Sequence, residues 1–180
     1  MVYSHGQIVI LDPMLKNTEG DNIEINTLEY YELNLWSYFI QEQLGETLES
    51  IINRRNAPFS FKTSIQIGCQ LLEQYKLIHA SGYIHNDLKL ENILVGKASA
   101  QPDTFVDLHR VTLIDFGLCT MYLDQEGKHV PKKGCDGFQG NMIFASRNAF
   151  IGKTLSRRDD LISLCYFLIY IIDGSMPFIE

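Results

Sequence analysis

His85-Asn86-Asp87-Leu88-Lys89-Leu90-Glu91-Asn92-Ile93-Leu94, followed downstream by Asp115-Phe116-Gly117, is the stretch on which the reading of this chain turns. Asp87 and Asn92 stand five positions apart between two apolar, strand-like runs, which places them on a loop. Asp115 ends the run Val111-Thr112-Leu113-Ile114, and Gly117 allows a sharp turn just beyond it. Phosphoryl transfer uses residues of these types in this order. One Asp accepts the proton of the attacking hydroxyl, a Lys neutralises charge on the transferred group, and an Asn and a second Asp hold magnesium. A lone His-x-Asp or Asp-Phe-Gly carries little information. Both in this order, with the Asn correctly spaced and a strand on each side, are not a chance pattern. His85 reads as a packed histidine that braces the loop rather than as an acid or base.

Composition sets the frame. The chain has 180 residues, 46% hydrophobic and 21% charged, which fits one globular domain with a sizeable core. A net charge of −7 argues against a nonspecific nucleic-acid surface or an anionic-membrane surface. Cys69, Cys119, Cys135 and Cys165 form no C-x-x-C pair and show no metal-binding spacing. The N-terminal residues lack a basic stretch followed by an apolar one. The expectation is therefore reduced thiols in an intracellular protein, cytoplasmic or nuclear. The run Leu161–Ile172 is the only membrane-like one, and its 12 residues are too few to span a bilayer. It reads as a buried core helix.

Along the chain, Ile8–Leu11 reads as a strand stopped by Asp12-Pro13, and residues 17–22 as a turn. Leu35–Gln41 reads as a second strand. A short helix follows, with Leu48, Ile51 and Ile52 on one face, ending before Pro58. A longer helix is predicted from Phe61 to Ser81, with Ser60 as N-cap and Gly82 as stop; its apolar face is assigned to Ile65, Cys69, Leu72 and Ile78. Residues 96–110 read as a connecting loop and 117–140 as a long surface loop, with Lys132 and Lys133 as its solvated tip. Ser156-Arg-Arg-Asp159 has capping-box spacing and opens the last helix, which gives Asp159 the role of a cap.

These motifs resemble eukaryotic protein kinases, and specifically the casein kinase 1 group, from about Tyr38 to Phe178. Gln43–Ile51 is similar to that group's hinge and following helix, and Tyr83–Leu94 to its catalytic loop. His129-Val130-Pro131 is similar to a triplet of its activation segment. The most group-specific part is Phe144-Ala-Ser146, Asn148, Gly152, Ser156-Arg-Arg-Asp-Asp-Leu161, Ser163-Leu164 and Gly174-Ser-Met-Pro-Phe178, where most kinases carry Ala-Pro-Glu in place of the Ala-Ser element. The resemblance implies an α+β, protein-kinase-like fold, mostly the helical large lobe with a remnant of the β-rich small lobe. Residues 1–43 would be a partial small lobe and hinge, and 44–180 a large lobe truncated after its central helix. It further implies a serine/threonine protein kinase that transfers the γ-phosphate of ATP to protein hydroxyls, with ATP and Mg2+ as cofactors and proteins as substrates. Asp87, Lys89 and Asn92 would be catalytic; Leu44, Asn92 and Asp115 would bind nucleotide; Asn92 and Asp115 would hold the metal. Gln41 would be the gatekeeper, and Asp160 would hold the catalytic-loop backbone.

The departures are specific. Asn86 stands where the family usually has Arg, so a phosphorylated activation loop would lack that partner. Gly140-Asn141-Met142-Ile143 stands where the group has Gly-Thr-Ala-Arg. The Thr would brace the catalytic Asp and Lys; the Arg would help bind acidic or pre-phosphorylated substrates. No glycine-rich loop precedes the hinge, and Lys16, the only lysine before it, lies 25 residues before Gln41. The strand, helix and two further strands of a small lobe need roughly 40 residues. The alternatives are a pseudokinase-like binding module, a small-molecule kinase of the aminoglycoside or choline type, and a truncated paralogue whose last helix needs partners beyond Glu180. Lys89 and Ser156–Asp160 argue against the small-molecule kinase.

Overall fold

The computed structural model describes residues 2–10, 34–41, 44–96, 110–131, 134, 137–138 and 140–176. The chain divides into two compact units, Met1–Gln43 and Leu44–Glu180. In the first, β1 (Val2–Ile10) pairs antiparallel with β2 (Asn34–Gln41), from Ile10 opposite Asn34 to Val2 opposite Gln41. β1 starts earlier than the apolar run Ile8–Leu11 suggests. The turn expected at 17–22 and Lys16 lie outside the described residues, as do the side chain of Gln41 and most of the loop at 96–110.

The second unit is built on two long helices and two short ones, with small strand pairs beside them. α1 (Leu48–Arg55) starts at Thr47, whose hydroxyl accepts from Ser50 N at 3.1 Å, and ends at Asn56 in the left-handed conformation. α2 (Phe61–Ala80) starts at Ser60, which accepts from Thr63 N at 3.2 Å, and stops at Gly82, whose φ of +86° suits a residue without a Cβ. β3 (Tyr83–Ile84) pairs with β6 (Thr120–Met121), and β4 (Ile93–Val95) with β5 (Val111–Leu113). After the short α3 (Arg147–Phe150), α4 (Arg157–Asp173) runs from the Ser156/Asp159 capping box to Gly174. This is an α+β fold, with its core under Leu71, Tyr75, Ile93, Phe144, Phe167 and Ile171. Each large apolar side chain buried there contributes about 1.5–3 kcal/mol.

The face of α2 differs from the expected one. Ser64, Ile67, Gly68, Leu71, Tyr75 and His79 point inward, whereas Ile65, Cys69 and Leu72 are exposed and Ile78 is partly buried. Apolar residues occupy both sides of this helix, and the packed side is chosen by contacts. A Cβ at Gly68 would come 2.9 Å from Leu168 Cδ2, so the missing side chain leaves room for the Leu168 methyl groups against α2. Gln70 and Gln74 turn toward β5 and close its free edge. Val111 N donates to Gln70 Oε1 (3.0 Å), Leu113 N to Gln74 Oε1 (2.8 Å), and Gln74 Nε2 to Val111 O (3.1 Å).

Two further expectations change. α4 is buried on one side only: Leu164, Phe167 and Ile171 face the core, while Leu161, Cys165 and Ile169 are exposed among the described residues. No helix among them is long and apolar enough to cross a membrane. The long loop after Gly117 is also more ordered than its composition suggests. It contains β6 and a closed turn in which Asp124 Oδ1 accepts from Glu126 N and Lys128 N, with Leu123 bridged to His129. Lys132 and Lys133 lie outside the described residues.

Candidate active site

The loop between β3 and β4 is set by backbone anchors. Asp160, at the start of α4 and only 2% exposed, takes hydrogen bonds from His85 N (2.9 Å) and His79 Nε2 (2.8 Å) on Oδ2, and from Asn86 N (2.9 Å) on Oδ1. That grip holds Asn86 at φ +67°, where a non-glycine residue is costly unless the surroundings impose it. Asn86 Nδ2 then reaches Leu118 O and Thr120 Oγ1, both at 2.9 Å, and ties the segment after Asp115-Phe116-Gly117 to the loop. On the other side a Cβ at Gly140 would stand 2.3 Å from Asn86 O, so residue 140 must be glycine for its strand of chain to pass there.

His85 is fully buried. Its Nδ1 accepts from Asp87 N (3.3 Å), so the ring proton belongs on Nε2, which donates to Ile114 O (3.1 Å). Burial lowers its pKa, and the neutral ring is the form that fits. The brace expected of His85 is what the structure shows. A pH dependence follows. As pH falls through about 6.5, the unfolded chain binds a proton that folded His85 resists, so stability is lost toward its lowered folded value. Thermal melts from pH 7.5 to 5 should show a falling midpoint, with a shallower slope in His85→Gln; equal slopes would remove His85 from the account.

Asp87, 4% exposed, carries the centre of the site. Its Oδ2 accepts from Lys89 Nζ (2.7 Å) and from Asn92 Nδ2 (3.0 Å), and Asn92 Nδ2 also donates to Asp87 O (2.9 Å). The hydrogen bond it donates to Asp87 raises the pKa of Lys89 and keeps it cationic. Both side-chain contacts land on Oδ2, and Oδ1 carries no partner among the described residues. Asn92 sits in a 3-10 turn (Leu90–Asn92), and Ile114 N donates to Asn92 O (2.9 Å), which fixes Asp115 one residue further on. Asp115 is exposed at φ +64°, with Oδ1 accepting from Gly117 N (3.2 Å). The Asn92 carbonyl and the Asp115 carboxylate are hard oxygen donors, the ligand type magnesium takes. When bound, magnesium neutralises phosphate charge. Leu44 begins an extended segment along β4, where Gly45 N donates to Val95 O (2.9 Å). The structure thus brings Asp87, Lys89 and Asn92 into contact and places Asp115 next to Ile114, whose backbone is bonded to Asn92 O and to His85 Nε2, while the segment from Leu44 runs along β4.

Asp159 does more than cap. Beside Ser156 N on Oδ2 (2.8 Å), its Oδ1 accepts from Ser146 Oγ (2.7 Å) and Asn148 Nδ2 (2.8 Å), pinning the segment before α3 to α4. The anchoring roles of His79 and Gly140, and the hydrogen bonds from the Asn86 side chain, have no sequence signal short of their partners. Cys119 Sγ lies 3.7 Å from His85 O, and burial pushes its thiol to about 11, which makes it unreactive at neutral pH.

Comparisons with known proteins bear on the family of this chain. The protein kinase domain family matches residues 13–180. A Dictyostelium discoideum protein named as a probable serine/threonine-protein kinase is 33% identical over 146 residues, which is 80% of this chain and 28% of that protein. The chain therefore spans about a quarter of the length of that relative. Since the family match takes in the Asp87 loop, Asp115 and the whole of α4, the chain belongs to the protein kinase domain family.

Proposed function

We propose that this chain carries the phosphoryl-transfer centre of a serine/threonine protein kinase of the casein kinase 1 type, using ATP and Mg2+ on protein hydroxyls inside the cell. The observation that carries the reading is the Asp87 carboxylate, held on one oxygen by Lys89 and Asn92, with no partner on the other among the described residues. In this reading Asp87 Oδ1 orients the substrate hydroxyl and takes its proton, and Lys89 stabilises charge on the phosphoryl group in transit. Asn92 and Asp115 hold the metal, and the backbone of Leu44 meets the adenine. Residues 1–43 serve as a partial small lobe and hinge, and 44–180 as the large lobe. The Ser146–Asn148–Asp159 knot supports the casein kinase 1 assignment, because it uses the residues in which that group departs from Ala-Pro-Glu.

A second reading, a binding module with weak or no catalysis, is favoured by one observation. Residues 1–41 hold no glycine-rich loop and only Lys16 as an amine to anchor phosphates. The purified chain with labelled ATP, Mg2+ and a mixed protein substrate separates the two. Label on serine and threonine that disappears in Asp115→Ala supports the kinase. Nucleotide binding in a thermal-shift assay without transfer supports the module.

A further inference from the structure

Three buried side-chain polar atoms have no hydrogen-bond partner among the described residues: Tyr75 Oη, Asn86 Oδ1 and Ser64 Oγ. Ser64 lies about three helical turns from Tyr75 along α2. The other two adjoin the catalytic loop. Tyr75 is fully buried, with its ring stacked on His79 at 5.4 Å and edge-on to His85 at 6.5 Å. Burial above all, then the nearby Asp160, Cys119 and Asp87, raises its pKa well above the usual tyrosine range, so the hydroxyl keeps its proton. Those same neighbours put it at the back of the loop that carries Asp87.

Asn86 supplies a matching acceptor. Its Nδ2 donates to Leu118 O and Thr120 Oγ1, and because a carbonyl oxygen takes only donors, the amide has one orientation. Oδ1 is therefore a fixed acceptor, buried and unused. Beside it, Asp160 Oδ1 takes one hydrogen bond among the described residues, from Asn86 N, whereas Oδ2 takes two. A donor is thus left over on α2, and acceptor positions are left over on the loop and on α4, around one shared anchor. Unpaired groups of both kinds in one buried place call for a small molecule that both accepts and donates. Water does this, and a buried water typically makes about three hydrogen bonds.

We propose that one buried water accepts from Tyr75 Oη and donates to Asn86 Oδ1 and Asp160 Oδ1, which makes Tyr75 a positioning residue for the loop that carries Asp87. The bridge ties α2 to the left-handed residue just before Asp87, the point where the loop is most strained. Its consequence for phosphoryl transfer rests on the kinase reading above, but the bridge is measurable without catalysis. In a crystal structure of the full chain, one ordered oxygen should lie within hydrogen-bond reach of both Tyr75 Oη and Asn86 Oδ1. An Oη surrounded by carbon alone would overturn the bridge.

Tyr75→Phe removes the hydroxyl and keeps the ring on His79. The net worth of one hydrogen bond corresponds to about 2–12-fold in a local opening equilibrium. Amide hydrogen exchange at His85, Asn86 and Asp87 should therefore quicken by about that factor, with the amides of α1 unchanged. Asn86→Gly, which suits the left-handed backbone, removes the other end of the bridge. Since one bridge can be lost only once, the double variant should exchange no faster than Asn86→Gly alone. Equal or slower exchange in Tyr75→Phe, or effects that multiply in the double variant, would overturn the proposal. Where transfer occurs, Tyr75→Phe should lower kcat and leave the KM for ATP unchanged; lost protection with an unchanged kcat would overturn the positioning role. Lost protection in a chain that transfers no phosphate at all would keep the bridge and sink the kinase reading alone.

Discussion

Asp160→Ala is expected to lower the unfolding free energy by about 3–5 kcal/mol, the range for removing one partner from a buried charged network. The carboxylate satisfies two backbone N–H groups, those of His85 and Asn86, and the ring of His79. An alanine leaves those donors facing a hole, and each buried donor without a partner costs about 1–3 kcal/mol. It also releases the left-handed Asn86, so the loop carrying Asp87 loses its shape together with its stability. Asp160→Asn keeps the volume and one acceptor oxygen but turns an NH2 group toward a donor; a loss of about 1–3 kcal/mol is expected there. Urea unfolding checks both, with the slope of the transition read alongside its midpoint. A loss below about 1 kcal/mol for alanine, within the range of an exposed hydrogen bond, would show that the loop is held elsewhere.

On the kinase reading proposed above, Asp87→Asn is expected to reduce phosphoryl transfer by about 10²–10⁴-fold while leaving the fold intact. Asparagine retains an oxygen for Lys89 and Asn92, so the cluster keeps its geometry, but its amide cannot take the proton of an incoming hydroxyl. Lys89 is partly exposed, with 27% of its side chain in contact with solvent, so losing the ion pair itself costs at most about 1 kcal/mol of stability. The measurements are the turnover number at saturating ATP and the melting temperature of the same preparation. A turnover within tenfold of the parent would assign the carboxylate a positioning role and leave proton transfer to solvent. A collapse of both quantities would mean that the Asp87 charge is needed for folding, a result that Asp87→Glu would separate from catalysis.

Features whose cause lies within a few residues were legible in the chain. Ser60 caps α2 and Gly82 stops it; Ser156 and Asp159 close a capping box three positions apart. The spacing of Asp87, Lys89 and Asn92 sets their mutual contacts, because a short loop between two strands leaves them little freedom. The inward face of α2 was not legible. Its buried side includes Ser64, Gly68 and His79, residues that no count of apolar positions would choose, while Ile65 and Leu72 point outward. The run Leu161–Ile172 marks a buried core helix, but which of its apolar residues are covered was not legible: Leu164, Phe167 and Ile171 are buried, while Leu161 and Ile169 are exposed.

Local rules thus reach the elements, the motif and, through them, the family. They stop where a side chain's partner is remote. Asp160 finds His85 75 positions away and His79 81 positions away, and Asp159 finds Ser146 across 13. Gly140 is required because its φ is +100° and because Asn86 O passes 2.3 Å from where its Cβ would be. Burial, charge satisfaction and close approach are properties of packed surfaces, and no window of neighbouring residues contains them. The order of chemical groups in His85–Leu94 therefore marks the family of this loop, and the packing of α2, α4 and the Gly140 segment around it decides how those groups are held.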